Sequence, residues 1–236
     1  SESDRSNNME RRAVSVREGH IRVLLIDSEP RWEFRELKTL LEREKTVELH
    51  TALQDADLNY SDQDASAQPL RGRFPVSRDQ LFAYDVVIFG DVNPKFLGQS
   101  TLENLREFVS EAGGGLIMIA GWQFNPLAYA GSPLETLLPI ELDGVKVPPP
   151  DVDISQSFQP KLTLEGRKST PIFRFDEDDR NSQIVWKRLP GLYWLVECPT
   201  LRAGATVFAE HPSRMGTDRH LPVIVMQRYG AGKTIF

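Results

Sequence analysis

Residues 84–126 read YDVVIFGDVNPKFLGQSTLENLREFVSEAGGGLIMIAGWQFNP, and this stretch decides the fold. It opens on a continuous apolar run, Val86-Val87-Ile88-Phe89, and closes on a second, Leu116-Ile117-Met118-Ile119-Ala120. Neither run alternates apolar with polar, so both read as strands covered on both faces, the pattern of a parallel sheet. Between them, Ser100-Thr101-Leu102-Glu103 has the form of a capping box and predicts a helix start at Ser100. Leu102, Leu105, Phe108, Val109 and Ala112 follow at helical spacing on one stripe. Gly113-Gly114-Gly115 then stops the helix and permits a tight return. Strand, helix and strand make one crossover, right-handed by the usual rule. The loops after both strands fall on the same edge of the sheet.

Working outward, Ile21-Arg22-Val23-Leu24-Leu25-Ile26 is a further buried strand. Ser28 is the expected N-cap, with Pro30 in the first turn, of a helix running to about Arg43. Phe34, Leu37, Leu40 and Leu41 are its expected inward face. Thr46-Val47-Glu48-Leu49-His50 is the next strand, which completes a βαβ unit. Residues 53–80 are polar, a length that marks a functional or mobile loop, ending in a short helix over 77–82. Downstream, 133–142 reads as a short helix or turn followed by a strand, and Val147-Pro148-Pro149-Pro150 as a stiff extended segment. The remainder reads as strands over 161–164, 192–196, 205–209 and 223–229, with a helix over 181–188. Residues 1–19 form a polar lead-in, expected to be disordered at first, with an alternating Ala13-Val14-Ser15-Val16 as an edge strand or lead-in. Residues 20–236 form one α/β domain whose Pro-rich connection spans 145–160.

The 236 residues carry a net charge of −6, which argues against a general nucleic-acid binder with its basic stripe. The single cysteine rules out an internal disulfide. No run approaches the ~20 apolar residues of a membrane span, and no signal peptide is visible at the start. The chain ends inside an expected strand, as a piece of a longer protein would.

The segments IRVLLIDSEPRWEFRELKTLLER, FPVSRDQLFAYDVVIFGDVNP, LREFVSEAGGGLIMIAG, SPLETLLPIEL, LPGLYWL, GATVFAEH and VIVMQRYGAGK together resemble the class I glutamine amidotransferase-like domain of large bacterial membrane proteins, which often also carry a von Willebrand factor A domain. The resemblance spans roughly residues 20–236. It implies a flavodoxin-like three-layer α/β/α fold with a mostly parallel sheet, and a strand-rich C-terminal part packed on it. It also implies a soluble domain of a membrane-anchored bacterial protein whose partners are other domains of the same chain, with the side of the membrane and the oligomeric state left open. Direct membrane contact and nucleic acid are not expected.

Class I amidotransferases carry a nucleophilic cysteine on a sharp turn after a strand, where a helix N-terminus favours the thiolate. The equivalent stretch here is Ile117-Met118-Ile119-Ala120-Gly121-Trp122-Gln123, which puts Ile119, or Ala120 after a one-residue slip, at that position. Neither attacks a carbonyl. Glu210-His211-Pro212-Ser213 resembles the family's His-Pro-Glu, but Ser213 stands in the glutamate slot. No catalytic residue, cofactor or metal is therefore assigned.

Other constellations have simpler readings. Cys198 reads as a small buried residue, not as a nucleophile served by His211 or His220. Gly232-Lys233-Thr234 lacks the first glycine of a phosphate loop, since Gln227 stands there, and reads as part of a hairpin. Asp176-Glu177-Asp178-Asp179 reads as a helix start with acids at the favourable end of the dipole; Asp151 and Asp153 read as solvated acids. Ligands of open α/β sheets bind beyond the carboxyl ends of the strands. That rule gathers Asp27, Glu29, Asp91, Asn93, Trp122 and Gln123 on one rim as a candidate ligand-binding set. The leading expectation is a non-catalytic module that binds a ligand or partner. The alternatives are a hydrolase or transferase using the acidic rim, and a structural spacer.

Overall fold

The computed structural model describes residues 19–54, 67–69, 77–150 and 157–236. Strands β1 (Ile21–Asp27), β2 (Val47–Leu53), β3 (Ala67–Pro69), β4 (Val86–Phe89), β5 (Gly115–Met118), β6 (Lys161–Leu162), β7 (Thr206–Met215), β8 (His220–Tyr229) and β9 (Gly232–Ile235) form one sheet. Its nine strands run in the order β3-β2-β1-β4-β5-β9-β8-β7-β6. From β3 to β9 every neighbour is parallel; from β9 to β6 every neighbour is antiparallel. The chain is thus a mixed α/β protein with a mostly parallel sheet. The two apolar runs of 84–126 pair in parallel, with Val86 opposite Gly115 and Phe89 opposite Met118.

Among the described residues five α-helices accompany the sheet: α1 (Trp32–Arg43), α2 (Arg78–Leu81), α3 (Pro94–Ser110), α4 (Leu164–Lys168) and α5 (Asp179–Arg188). Successive strand side chains point to opposite faces. Leu24, Ile26, Val87, Phe89, Leu116 and Met118 meet Leu102, Leu105, Phe108 and Val109 of α3 and the short 3-10 turns Leu127–Tyr129 and Pro133–Leu137. Val23, Leu25 and Ile88 meet Phe34 of α1, joined by Leu37 and Leu41. The glycine run does more than end α3. Gly113 has φ 76°, and a Cβ at Gly114 would lie 2.1 Å from the Phe108 ring. A buried phenylalanine in such a place contributes roughly 3–5 kcal/mol against alanine.

The structure departs from the sequence reading in several places. Helix α1 starts at Trp32 behind Arg31, with no side-chain cap, because Ser28 is buried beside Asp27 and donates its N–H there. Leu40 is 58% exposed. Six residues past Phe34 turn it well away from the Phe34–Leu37–Leu41 stripe. A helical turn ahead of the predicted start begins at Pro94, where Asn93 accepts the Lys95 N–H and proline occupies the first turn. Gly98, at φ 72° and ψ 158°, interrupts it, and the helix that carries the apolar stripe resumes beyond Gly98, beside the predicted start at Ser100.

The strands read at 139–142 and 192–196 form only isolated bridges, Ile140 to Leu201 and Phe158 to Leu192. The C-terminal strands are not a separate layer packed on the domain: β9 inserts beside β5 and carries β8, β7 and β6 into the same sheet. Within the polar stretch, Ala67–Pro69 adds a short parallel edge strand to β2. The lead-in to residue 18, the rest of the loop at 55–66 and 70–76, and Asp151 and Asp153 lie outside the described residues. No described helix is long and apolar enough to cross a membrane.

Candidate functional site

The carboxyl ends of β1, β4 and β5 meet at one edge, and the sequence-predicted rim stands there. Asp27 ends β1 and is 2% exposed. Its Oδ1 accepts the N–H of Ser28 at 2.8 Å and that of Asp91 at 3.0 Å. Arg31 folds back onto it, with Nε 3.1 Å and Nη2 2.9 Å from Oδ2. A Cβ at Gly90 would lie 2.4 Å from Asp27 Oδ2, so glycine is what lets β4 pass this close. Burial pushes the Asp27 carboxyl above its ordinary value, and Arg31 and the two N–H donors pull against that shift.

Asp91 is completely buried. Its Oδ2 accepts the N–H of Gln123 at 2.9 Å; its Oδ1 accepts those of Phe124 at 2.8 Å and Asn125 at 2.7 Å. Successive backbone N–H groups converging on one anion form a nest, and here the anion is the protein's own. A Cβ at Gly121 would lie 2.0 Å from Asp91 Cγ, so the turn after β5 wraps directly around this side chain. Asn125 Nδ2 donates to the Ile119 carbonyl at 2.9 Å and the Gly90 carbonyl at 3.3 Å, and the Tyr129 hydroxyl donates to the Val92 carbonyl at 2.5 Å. The two loops are thereby sewn together.

The other rim residues divide by exposure. Asn93 caps α3, and its own N–H donates to Gln54 Oε1 at 2.8 Å. Glu29 and Gln123 are exposed, and Trp122 is 48% exposed. Sequence reasoning placed all six residues on the correct edge but missed Arg31 and Asn125, which tie it together. It also missed Trp32 and Phe96, exposed at 66% and 54% in the first turns of α1 and α3. No periodicity marked Arg31, because Asp27 ends a strand and Arg31 stands before the first helical residue, so helical spacing does not link them.

The turn after β5 is not a nucleophile elbow. Ile119 continues the strand pairing by donating to the Phe89 carbonyl at 2.8 Å. Among the described residues no non-glycine has a positive φ, and the segment after a cis Asn125–Pro126 bond is a 3-10 turn, not an α-helix. Cys198 is 2% exposed, and burial pushes its thiol up to about 12. His211 is buried on β7, tilted against Phe158 at 4.3 Å. Its Nδ1 accepts the N–H groups of Ser213 and Arg214 at 3.2 and 2.9 Å. Gly232-Lys233-Thr234 lies in β9 after a tight turn from β8. Asp178 caps α5 by accepting the Arg180 N–H at 2.8 Å. Among the described residues no His, Cys, Asp or Glu group could hold a metal ion.

No protein-family model matches the chain, and no curated protein matches it.

Proposed function

We propose that the chain is a non-catalytic amidotransferase-like module of flavodoxin-like, three-layer form. It docks through the edge beyond β1, β4 and β5 onto other domains of a longer membrane-anchored bacterial protein. The parallel strands support the fold assignment: leaving β3 aside, β2-β1-β4-β5-β9 follow the doubly wound order 2-1-3-4-5.

One observation carries the functional reading. The carboxylates of Asp27 and Asp91 spend their oxygens on backbone N–H groups and Arg31, while Trp32, Phe96 and Trp122 stand exposed in the segments that follow β1, β4 and β5. Both buried aspartates thus face inward, and exposed aromatic side chains follow each of the three strands. Exposed aromatic residues of this kind anchor protein interfaces. An acidic-rim hydrolase or transferase working with paired carboxylates needs Asp27 or Asp91 open to substrate beside the exposed Glu29, and both aspartates are buried with their oxygens engaged. Burial heads the causes of the Asp27 shift, and no neighbouring carboxylate is among them.

The test is calorimetric titration of the chain with the remainder of the same protein, expressed separately. Binding that weakens roughly tenfold or more in each of Trp32→Ala and Trp122→Ala supports the reading. No binding, or binding that both variants leave unchanged, contradicts it.

A further inference from the structure

A cleft of about 490 Å³ lies at the far end of the sheet from β3, between β6, α4, the start of β7 and Arg219. It is separate from the aromatic edge, and nothing about it depends on that edge's role. Three cations line it, Lys161, Arg167 and Arg219, with two carboxylates, Glu165 and Glu210. Glu210 is already engaged, 4.0 Å from Lys161 Nζ and 3.4 Å from His220 Nδ1. Arg167 and Arg219 are left against Glu165.

Neither arginine is closely compensated: Arg219 forms no ion pair among the described residues, and Arg167 forms one long one, Nη1 to Asp179 at 4.0 Å. An arriving oxyanion meets guanidinium donors that the protein leaves without a close charged acceptor. The wall that holds Arg167 is fixed in place. Thr163 Oγ1 donates to the Val207 carbonyl at 2.6 Å and accepts the Gly166 N–H at 3.0 Å, while the Thr163 N–H donates to the Phe208 carbonyl. Gly166 presses so closely on β7 that a Cβ there would lie 2.1 Å from the Phe208 carbonyl oxygen. The short helix carrying Arg167 is therefore set before any ligand arrives, which removes an ordering cost from binding.

We propose that this cleft binds a small oxyanion-bearing ligand, a carboxylate or a phosphate, held by the guanidinium groups of Arg167 and Arg219 with Lys161 beside them. The planar donor fork of arginine matches either group. The experiment is calorimetric titration of the chain with inorganic phosphate and, separately, with citrate, at matched ionic strength against a chloride control. Saturable binding of one anion is expected, and which anion binds names the class. Arg167→Gln and Arg219→Gln each weaken it by roughly tenfold or more. Lys45→Gln, the same loss of charge in the turn before β2, leaves it unchanged. Arg219 lies in the turn between β7 and β8, so its variant reports on binding even if Arg167→Gln disturbs α4. Absence of saturable binding by both anions overturns the proposal, as does an equal loss in Lys45→Gln.

Discussion

Replacing Asp91 with asparagine tests whether the turn after β5 is held by a buried anion. The two side chains have nearly the same shape, so the change isolates charge and hydrogen bonding. Asparagine keeps most by leaving its carbonyl at the Oδ1 position, where the N–H groups of Phe124 and Asn125 arrive at 2.8 and 2.7 Å. Its amide NH2 then faces the Gln123 N–H, which now donates to Oδ2 at 2.9 Å, and a bond becomes a donor–donor contact. The two retained bonds fall from charge-assisted to neutral. With about 1.5–3 kcal/mol for a bond to a charged group and about 1 for a neutral one, the loss comes to roughly 3–4 kcal/mol. That is a large share of the ~5–15 kcal/mol that holds a typical domain together. Equilibrium unfolding in urea measures it. At a slope of about 2–3 kcal/mol per molar, the midpoint drops by roughly 1.5 M. A variant within about 1 kcal/mol of the parent, with the slope unchanged, would refute the claim that this carboxylate organises the turn.

Three further outcomes follow from the same structure. Gly121→Ala forces a Cβ to within 2.0 Å of Asp91 Cγ and is expected to cost roughly 3 kcal/mol or more in the same urea assay; parent-like stability would mean that the turn relaxes freely. Cys198, buried and with its thiol pushed up to about 12, stays unlabelled by a chromogenic disulfide in the native state and reacts fully in urea, and fast native labelling would contradict its placement. Burial first, then Arg214 and His220, hold His211 below the ordinary histidine value of 6.5, and its Nδ1 must stay unprotonated to accept two N–H groups. The folded state therefore binds fewer protons than the unfolded one. The His211 contribution to stability is complete above pH 6.5 and is lost as pH falls through the depressed folded value, so His211→Gln flattens this part of the stability–pH curve.

The parallel core was legible because its strands announce themselves. Val86–Phe89 and the run ending at Ala120 are apolar without alternation, and burial on both faces is what such runs require. The edge position of Asp27 and Asp91 followed from topology alone. Their role did not, because whether a carboxylate faces solvent or a nest of N–H groups is decided by the backbone of loops distant in sequence, 123–125 for Asp91 and Asp91 itself for Asp27. The Asn93-Pro94 turn ahead of Gly98 was also in the sequence, but the stronger capping pattern at Ser100 marked only the helical piece beyond the break. The C-terminal strands were found, yet their place in the sheet was not. A short strand such as Gly232–Ile235 carries no local mark of whether it joins a parallel neighbour or a second layer.

The edge beyond β5 is expected to carry no glutaminase chemistry. Ammonia release from glutamine by the purified chain measures that directly. Rates equal to the buffer blank, in the parent and in Asp91→Asn alike, are the expected result; glutamine-dependent ammonia above that blank, abolished in Asp91→Asn while the variant stays folded, would contradict it.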